Sequence, residues 1–144
     1  MRLIQRYAEV EAPKSFGGLY ADQSQGGLIN VGFTDGAAQH LEALRDLFPY
    51  PELLRSFPVT QSLAELEATT DRITGDLDAL AAEGIDVRAV GPLVPENAVQ
   101  VAAHHGVISG FVRFSNGSKD GIYSFVQNAQ RALNARVRTC CAGP

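Results

Sequence analysis

The sequence predicts an α+β fold: an antiparallel sheet in the order hairpin, helix, strand, helix, hairpin, with two helices packed on one face and a C-terminal strand–helix appendage. Three observations carry this. Two stretches, Phe16 to Thr34 and Ile85 to Val101, alternate apolar and polar residues on either side of a turn rich in glycine or proline. Two others, behind Thr34 and behind Ser62, repeat apolar residues at spacings of three and four. Finally, 45% of the 144 residues are hydrophobic and only 19% charged, which suits a packed core and excludes global disorder.

The elements follow in chain order. Met1 to Glu11 reads as a short helix ending near Pro13. In the first hairpin Gly26-Gly27 can take positive φ, and the return arm places Ile29, Val31 and Phe33 on one face with Asn30 and Gly32 on the other. Thr34 is expected to cap a helix carrying Asp35 in its first turn, with Ala37, Leu41, Leu44 and Phe48 as its apolar stripe and His40 exposed beside it. Leu53 to Gln61 reads as an edge strand or bulge, because Pro58 cannot donate to a ladder. Ser62-Leu63-Ala64-Glu65 is a capping box opening one long helix, with Leu63, Leu66, Thr70, Ile73, Leu77 and Leu80 on a stripe and Gly84 closing it. In the second hairpin Ile85, Val87 and Ala89 alternate before a turn from Pro92 to Asn97, and Val99 and Val101 line the return arm. The two hairpins echo one another, and Ile29, Val31, Phe33, Leu66, Ile73, Leu77, Val99 and Val101 are expected to share one core.

Composition divides the chain into a body, 1–102, and a tail, 103–144. The body holds 7 basic and 15 acidic side chains, a net of −8, whereas the tail holds 5 and 1, a net of +4. The tail reads as a strand from Val107 to Phe114, a turn at Asn116-Gly117-Ser118, and a helix from Asp120 with Ile122, Phe125, Ala129, Leu133 and Val137 on one face. With a net charge of −4 the chain has no nucleic-acid footprint, and no apolar run approaches the roughly 20 residues that span a bilayer. Charges interrupt the first residues, so no export signal is read there, and the chain as encoded is expected in the cytoplasm.

No catalytic pattern emerges. There is no phosphate-binding glycine loop and no nucleophile elbow. Three histidines cannot supply a metal cluster, since His104 and His105 are adjacent and would point to opposite faces of a strand. Cys140 and Cys141 are neighbours with no histidine at ligand spacing, so no metal site, redox role or cofactor is expected. Asp71 and Asp78 lie two helical turns apart and read as a solvated face. The candidate interaction surface is the edge at Arg55, Phe57 and Val59, where an exposed strand offers unpaired backbone groups to another chain.

Phe16-Gly17-Gly18-Leu19-Tyr20-Ala21-Asp22 followed by Leu28-Ile29-Asn30-Val31-Gly32-Phe33-Thr34-Asp35-Gly36-Ala37-Ala38 resembles the hairpin-plus-helix unit of the pro regions of α-lytic protease and streptogrisin-type serine proteases. Ser62 to Leu66 resembles that unit's second helix, and Val94 to Val101 its later strand, so the resemblance covers about residues 16–102. It implies a non-catalytic module that acts as an intramolecular chaperone and inhibitor by pairing its sheet with a protease, in a family whose members are exported from bacteria. The expected partner is a serine protease or another protein docking at the Arg55–Val59 edge, with no nucleic acid or membrane. Two other readings stand beside this one. One is a small-molecule-binding or enzymatic α+β domain with its site between the helices and the tail; the other is a truncated fragment without independent function.

Overall fold

The structure, a computed structural model, describes residues 1–105 and 108–114, and mixes helix and sheet as the sequence predicts. Two compact units divide the chain: Met1–Ala68 with Pro92–Ala98, and Thr69–Gly91 with the residues from Val99 onward. The helices are α1 (Arg2–Glu11), α2 (Ala37–Leu47), α3 (Leu63–Gly75) and α4 (Leu77–Ala82), and the strands are β1 (Phe16–Asp22), β2 (Leu28–Phe33), β3 (Leu54–Pro58), β4 (Ile85–Leu93), β5 (Ala98–His105) and β6 (Ile108–Phe114). They form two three-stranded sheets, β1-β2-β3 and β4-β5-β6, in place of the single sheet expected.

In the first unit β1 and β2 are antiparallel, with Leu19 opposite Val31 and Ala21 opposite Ile29. A 3-10 turn, Gln23–Gln25, joins them and closes on Gly26 at φ 73°. Asp22 stabilises that turn from its front: its carboxylate accepts bonds from the Ser24 amide (2.9 Å), the Ser24 hydroxyl (2.6 Å) and the Gln25 side-chain amide (2.7 Å). These donors, the Ser24 hydroxyl first, hold the Asp22 carboxyl below its ordinary range.

The sheet is not purely antiparallel. β3 runs parallel to β2, pairing Ile29 with Leu54, Val31 with Ser56 and Gly32 with Phe57. β2, α2 and β3 therefore form a crossover unit, because parallel neighbours cannot be joined by a tight hairpin. Ile29, Val31, Phe33 and Leu54 pack on one face against Ile4 and Ala12 at either end of the N-terminal helix and Leu44 of α2. The helices covering this face are thus α1 and α2, where the sequence pattern pointed to α2 and the helix behind Ser62. Of the other residues assigned to the same core by pattern, Ile73, Val99 and Val101 are buried within the second unit, Leu66 is buried in the first unit outside this cluster, and Leu77 is only half-buried.

The entry to α2 also differs from expectation. Its cap is Gly36 at φ 58°, with no side-chain capping bond, and the helix begins at Ala37. The chain leaves β2 and reverses into α2 through this left-handed residue, a conformation that suits glycine and not Thr34. His40, expected on the exposed side, is half-buried: its ring stacks on Phe33 with centroids 4.5 Å apart at 20°.

The capping box forms as the sequence indicates. Ser62 N–H donates to Glu65 Oε2 (2.7 Å), and Glu65 N–H donates to Ser62 Oγ (3.3 Å). Ser62 is 3% exposed, so the cap is shielded from water. Ser62→Ala is expected to cost about 1 kcal/mol, the usual loss at an N-cap; a urea midpoint unchanged from the parent would mean the cap carries no stability.

The long helix predicted from Ser62 to Gly84 is broken. It stops at Gly75, Asp76 takes φ −98° and ψ 6°, and α4 restarts at Leu77. Glycine is a poor helix former, and Thr74 turns its hydroxyl onto the Thr70 carbonyl (2.8 Å) one turn earlier, a back-bond that weakens the ladder there. Asp71 and Asp78 are exposed, as a solvated face requires.

β4 is an edge strand of the second sheet and runs through Pro92 to Leu93, two residues into the predicted turn. A 3-10 turn, Val94–Glu96, then closes on Asn97 at φ 48° and ψ 50°. Both hairpins are therefore built around a 3-10 turn ending in a left-handed residue, the echo visible in the sequence. β6 pairs antiparallel with β5, Val99 opposite Phe114 and His105 opposite Ile108. Position 102/103, where composition changes, lies inside β5. The expected helix from Asp120, its face of Ile122, Phe125 and Leu133, and Cys140 and Cys141 lie outside the described residues.

Candidate functional site

Of the two edges of the first sheet, β1 is flanked by the second 3-10 turn: Val94 lies against Gly18, where an added Cβ would come within 2.7 Å of Val94 Cγ1. β3, at the other edge, has one neighbouring strand. Its ladder has a definite phase. Val59 N–H donates to the Phe33 carbonyl at 3.1 Å, and in a parallel ladder every second residue turns both backbone groups to the same neighbour. With Gly32 opposite Phe57 and Asn30 opposite Arg55, the backbone groups of Arg55, Phe57 and Val59 face β2. Those of Leu54, Ser56 and Pro58 face outward.

Most of this outward row is already satisfied. Leu54 N–H donates to the Pro51 carbonyl. Arg55 folds its guanidinium back so that Nη1 donates to the Leu54 carbonyl (2.8 Å) and the Glu52 carbonyl (2.9 Å). Pro58 has no N–H. Beyond the strand, Thr60 N–H donates to Asn97 Oδ1 at 2.9 Å. Among the described residues, no group bonds the outward N–H and C=O of Ser56 or the C=O of Pro58. The open part of the edge is therefore a short window centred on Ser56.

No family model, curated protein or solved structure matches this chain. The site therefore stands on its own geometry. The sequence-predicted residues Arg55, Phe57 and Val59 lie beside the window and flank it differently. Arg55 is exposed and caps the start of the strand. Phe57 is half-buried on the face away from the core, edge-on to Tyr20 with centroids 5.7 Å apart at 68°. Its ring lies over Gly32, where a Cβ would come within 3.0 Å of Phe57 Cζ and of Val59 Cγ1. The glycine in β2 is what lets these two side chains lie flat on the sheet, and they present a small apolar platform next to Ser56. Among the described residues no group of three or more histidine, cysteine or acidic side chains is placed to hold a metal.

Sequence reasoning missed Ser56. Pro58 signals an edge strand, but which alternate residues face outward depends on the side from which β2 pairs, and the residues of β3 do not record that. It also missed Asn97, whose distance in sequence from Thr60 hid the bond that seals the far end of the edge.

Proposed function

We propose that this chain is a protein-binding module that takes an extended segment of a partner onto the outer edge of β3. The observation that carries the reading is the phase of the β2–β3 ladder, which leaves one donor and one acceptor of Ser56 turned outward. A closely spaced antiparallel pair needs one such donor and one acceptor from each strand. Backbone bonds at Ser56 would supply part of the affinity, and the platform of Phe57, Tyr20 and Val59 would receive an apolar partner side chain. Buried aromatic residues dominate such contacts, so Phe57 is the expected anchor. The resemblance to serine-protease pro regions supports the same reading and suggests a streptogrisin-type protease as partner, with inhibition as the outcome.

The test is hydrolysis of a chromogenic substrate by such a protease in the presence of the purified chain. Inhibition at micromolar concentration is expected, and Ser56→Pro is expected to reduce it at least tenfold, because proline removes the outward N–H while leaving the inward bonds of Arg55 and Phe57 in place. Phe57→Asp is expected to weaken inhibition too, with some loss of stability from the ring's contacts on Gly32 and Tyr20. Equal inhibition by Ser56→Pro and the parent would rule out the edge, and no inhibition by the parent would remove the protease as partner.

A further inference from the structure

A second cluster lies on the helical side of the first unit, away from the strand edge. His40 of α2 stands between two hydroxyls from distant parts of the chain: Tyr7 OH lies 2.9 Å from Nδ1, and Ser15 Oγ lies 3.5 Å from Nε2. The imidazole is fixed by stacking on Phe33 and by the edge of the Tyr7 ring, with centroids 5.9 Å apart at 75°. Ser15 is held at both backbone ends, its N–H donating to the Ala12 carbonyl (3.2 Å) and its C=O accepting from Thr34 N–H (2.8 Å). Ser15 and His40 line an open cleft of about 380 Å³, together with Lys14, Asp35 and Glu11.

We propose that this cleft is an acyl-transfer site in which Ser15 is the nucleophile, His40 its general base and Tyr7 the group that orients the imidazole. The arrangement has the three parts such chemistry requires: a hydroxyl, a base within reach of it, and a third group fixing the base. The separation of Ser15 and His40 is long for a hydrogen bond, as such contacts often are before substrate binds. Burial first, and the nearby Glu11 carboxylate second, raise the Tyr7 phenol above its ordinary range, so it is neutral and can accept from Nδ1–H. The mechanism requires that tautomer, in which the Nε2 lone pair faces Ser15.

The steps balance without any other reagent than water. As Ser15 Oγ attacks the carbonyl carbon of an ester, its proton passes to Nε2 and a C–O bond forms. The oxyanion develops in a cleft that Lys14 helps to line. Collapse breaks the bond to the leaving alcohol, which takes the proton from Nε2, and water activated by His40 then hydrolyses the acyl-serine. The net change is ester and water to acid and alcohol. Sequence spacing hides the pair, since Ser15 follows one helix and His40 lies in the next, and only the packing of α1 on α2 brings them together.

The test uses the full chain with diisopropyl fluorophosphate and with p-nitrophenyl acetate. Covalent labelling at Ser15, located by peptide mass spectrometry, is expected; there the P–O bond forms, the P–F bond breaks and fluoride leaves. Ser15→Ala is expected to abolish the label and to reduce p-nitrophenyl acetate turnover at least tenfold, and it removes a hydroxyl whose hydrogen-bond partner among the described residues is His40. His40→Gln is expected to slow labelling by about 100-fold or more, the lower end of what a general base contributes. Nitrogen-15 NMR of the parent is expected to show the Nδ1–H tautomer, and Tyr7→Phe to mix the two tautomers and slow labelling. Label at Lys14 or elsewhere in place of Ser15, or undiminished turnover in Ser15→Ala, would overturn the proposal.

Discussion

Phe33→Ala is expected to lower the unfolding free energy by about 3–5 kcal/mol, the range for truncating a buried aromatic residue. Phe33 is 1% exposed and sits at the centre of the first unit's core. Its ring meets Phe16 edge-on, with centroids 6.2 Å apart, and lies under the His40 imidazole, so its removal opens a cavity bounded by two rings and two helices. Since domains of this size are stable by about 5–15 kcal/mol, the variant is expected to retain only a fraction of the parent's stability. Urea unfolding followed by circular dichroism reads the effect as a lower midpoint with an unchanged slope. Phe33→Leu keeps most of the volume and is expected to cost about 1.5 kcal/mol or less by the same measure. Equal losses for alanine and leucine would mean that the stacked ring, and not the filled volume, is what Phe33 contributes.

The second large effect is expected at Asn97. One side chain closes four bonds onto the segment between β3 and α3: Oδ1 accepts from Thr60 N–H, Thr60 Oγ1–H and Gln61 N–H, each at 2.9 Å, and Nδ2 donates to the Gln61 carbonyl at 2.8 Å. Asparagine also tolerates the left-handed backbone that the turn imposes at this position. Each bond is worth about 0.5–1.5 kcal/mol net, and partial exposure keeps these toward the lower end, so Asn97→Ala is expected to cost about 3 kcal/mol with the backbone penalty included. Asn97→Gly separates the two contributions, because it removes the bonds and relieves the backbone. Asn97→Asp keeps the acceptor and loses the donor to Gln61. The expected order of stability is Asn, Asp, Gly, Ala. Amide exchange at Thr60 and Gln61 is expected to quicken in the glycine and alanine variants; protection unchanged in both would show that another contact holds this segment.

The features legible in the sequence are those written in local periods and local stereochemistry. Alternation in Leu28–Phe33 gave the buried face of β2, because side chains on a strand point to opposite sides in turn. Ser62 and Glu65 announced a helix start, because the two bonds they exchange lie within a single turn. Gly26 and Asn97 marked the turns, because few residues accept a left-handed backbone. The α+β class follows from these elements together.

What the tertiary structure decided depends on partners far away in the chain. The direction of β3 is set by the α2 crossover and not by its own five residues, so an antiparallel strand was expected where a parallel one forms. The surface that edge offers changes with it: the ladder phase turns Arg55, Phe57 and Val59 inward and Ser56 outward. α1, read as a short terminal helix, supplies Ile4 to the core and Tyr7 to His40, because packing against α2 gives its apolar face a place to bury. A residue's own sequence neighbourhood encodes which face it occupies. The groups it meets across that face are chosen by the way the elements pack, since burial rewards any apolar neighbour of the right shape while hydrogen bonds form only where the packing brings donor and acceptor within reach.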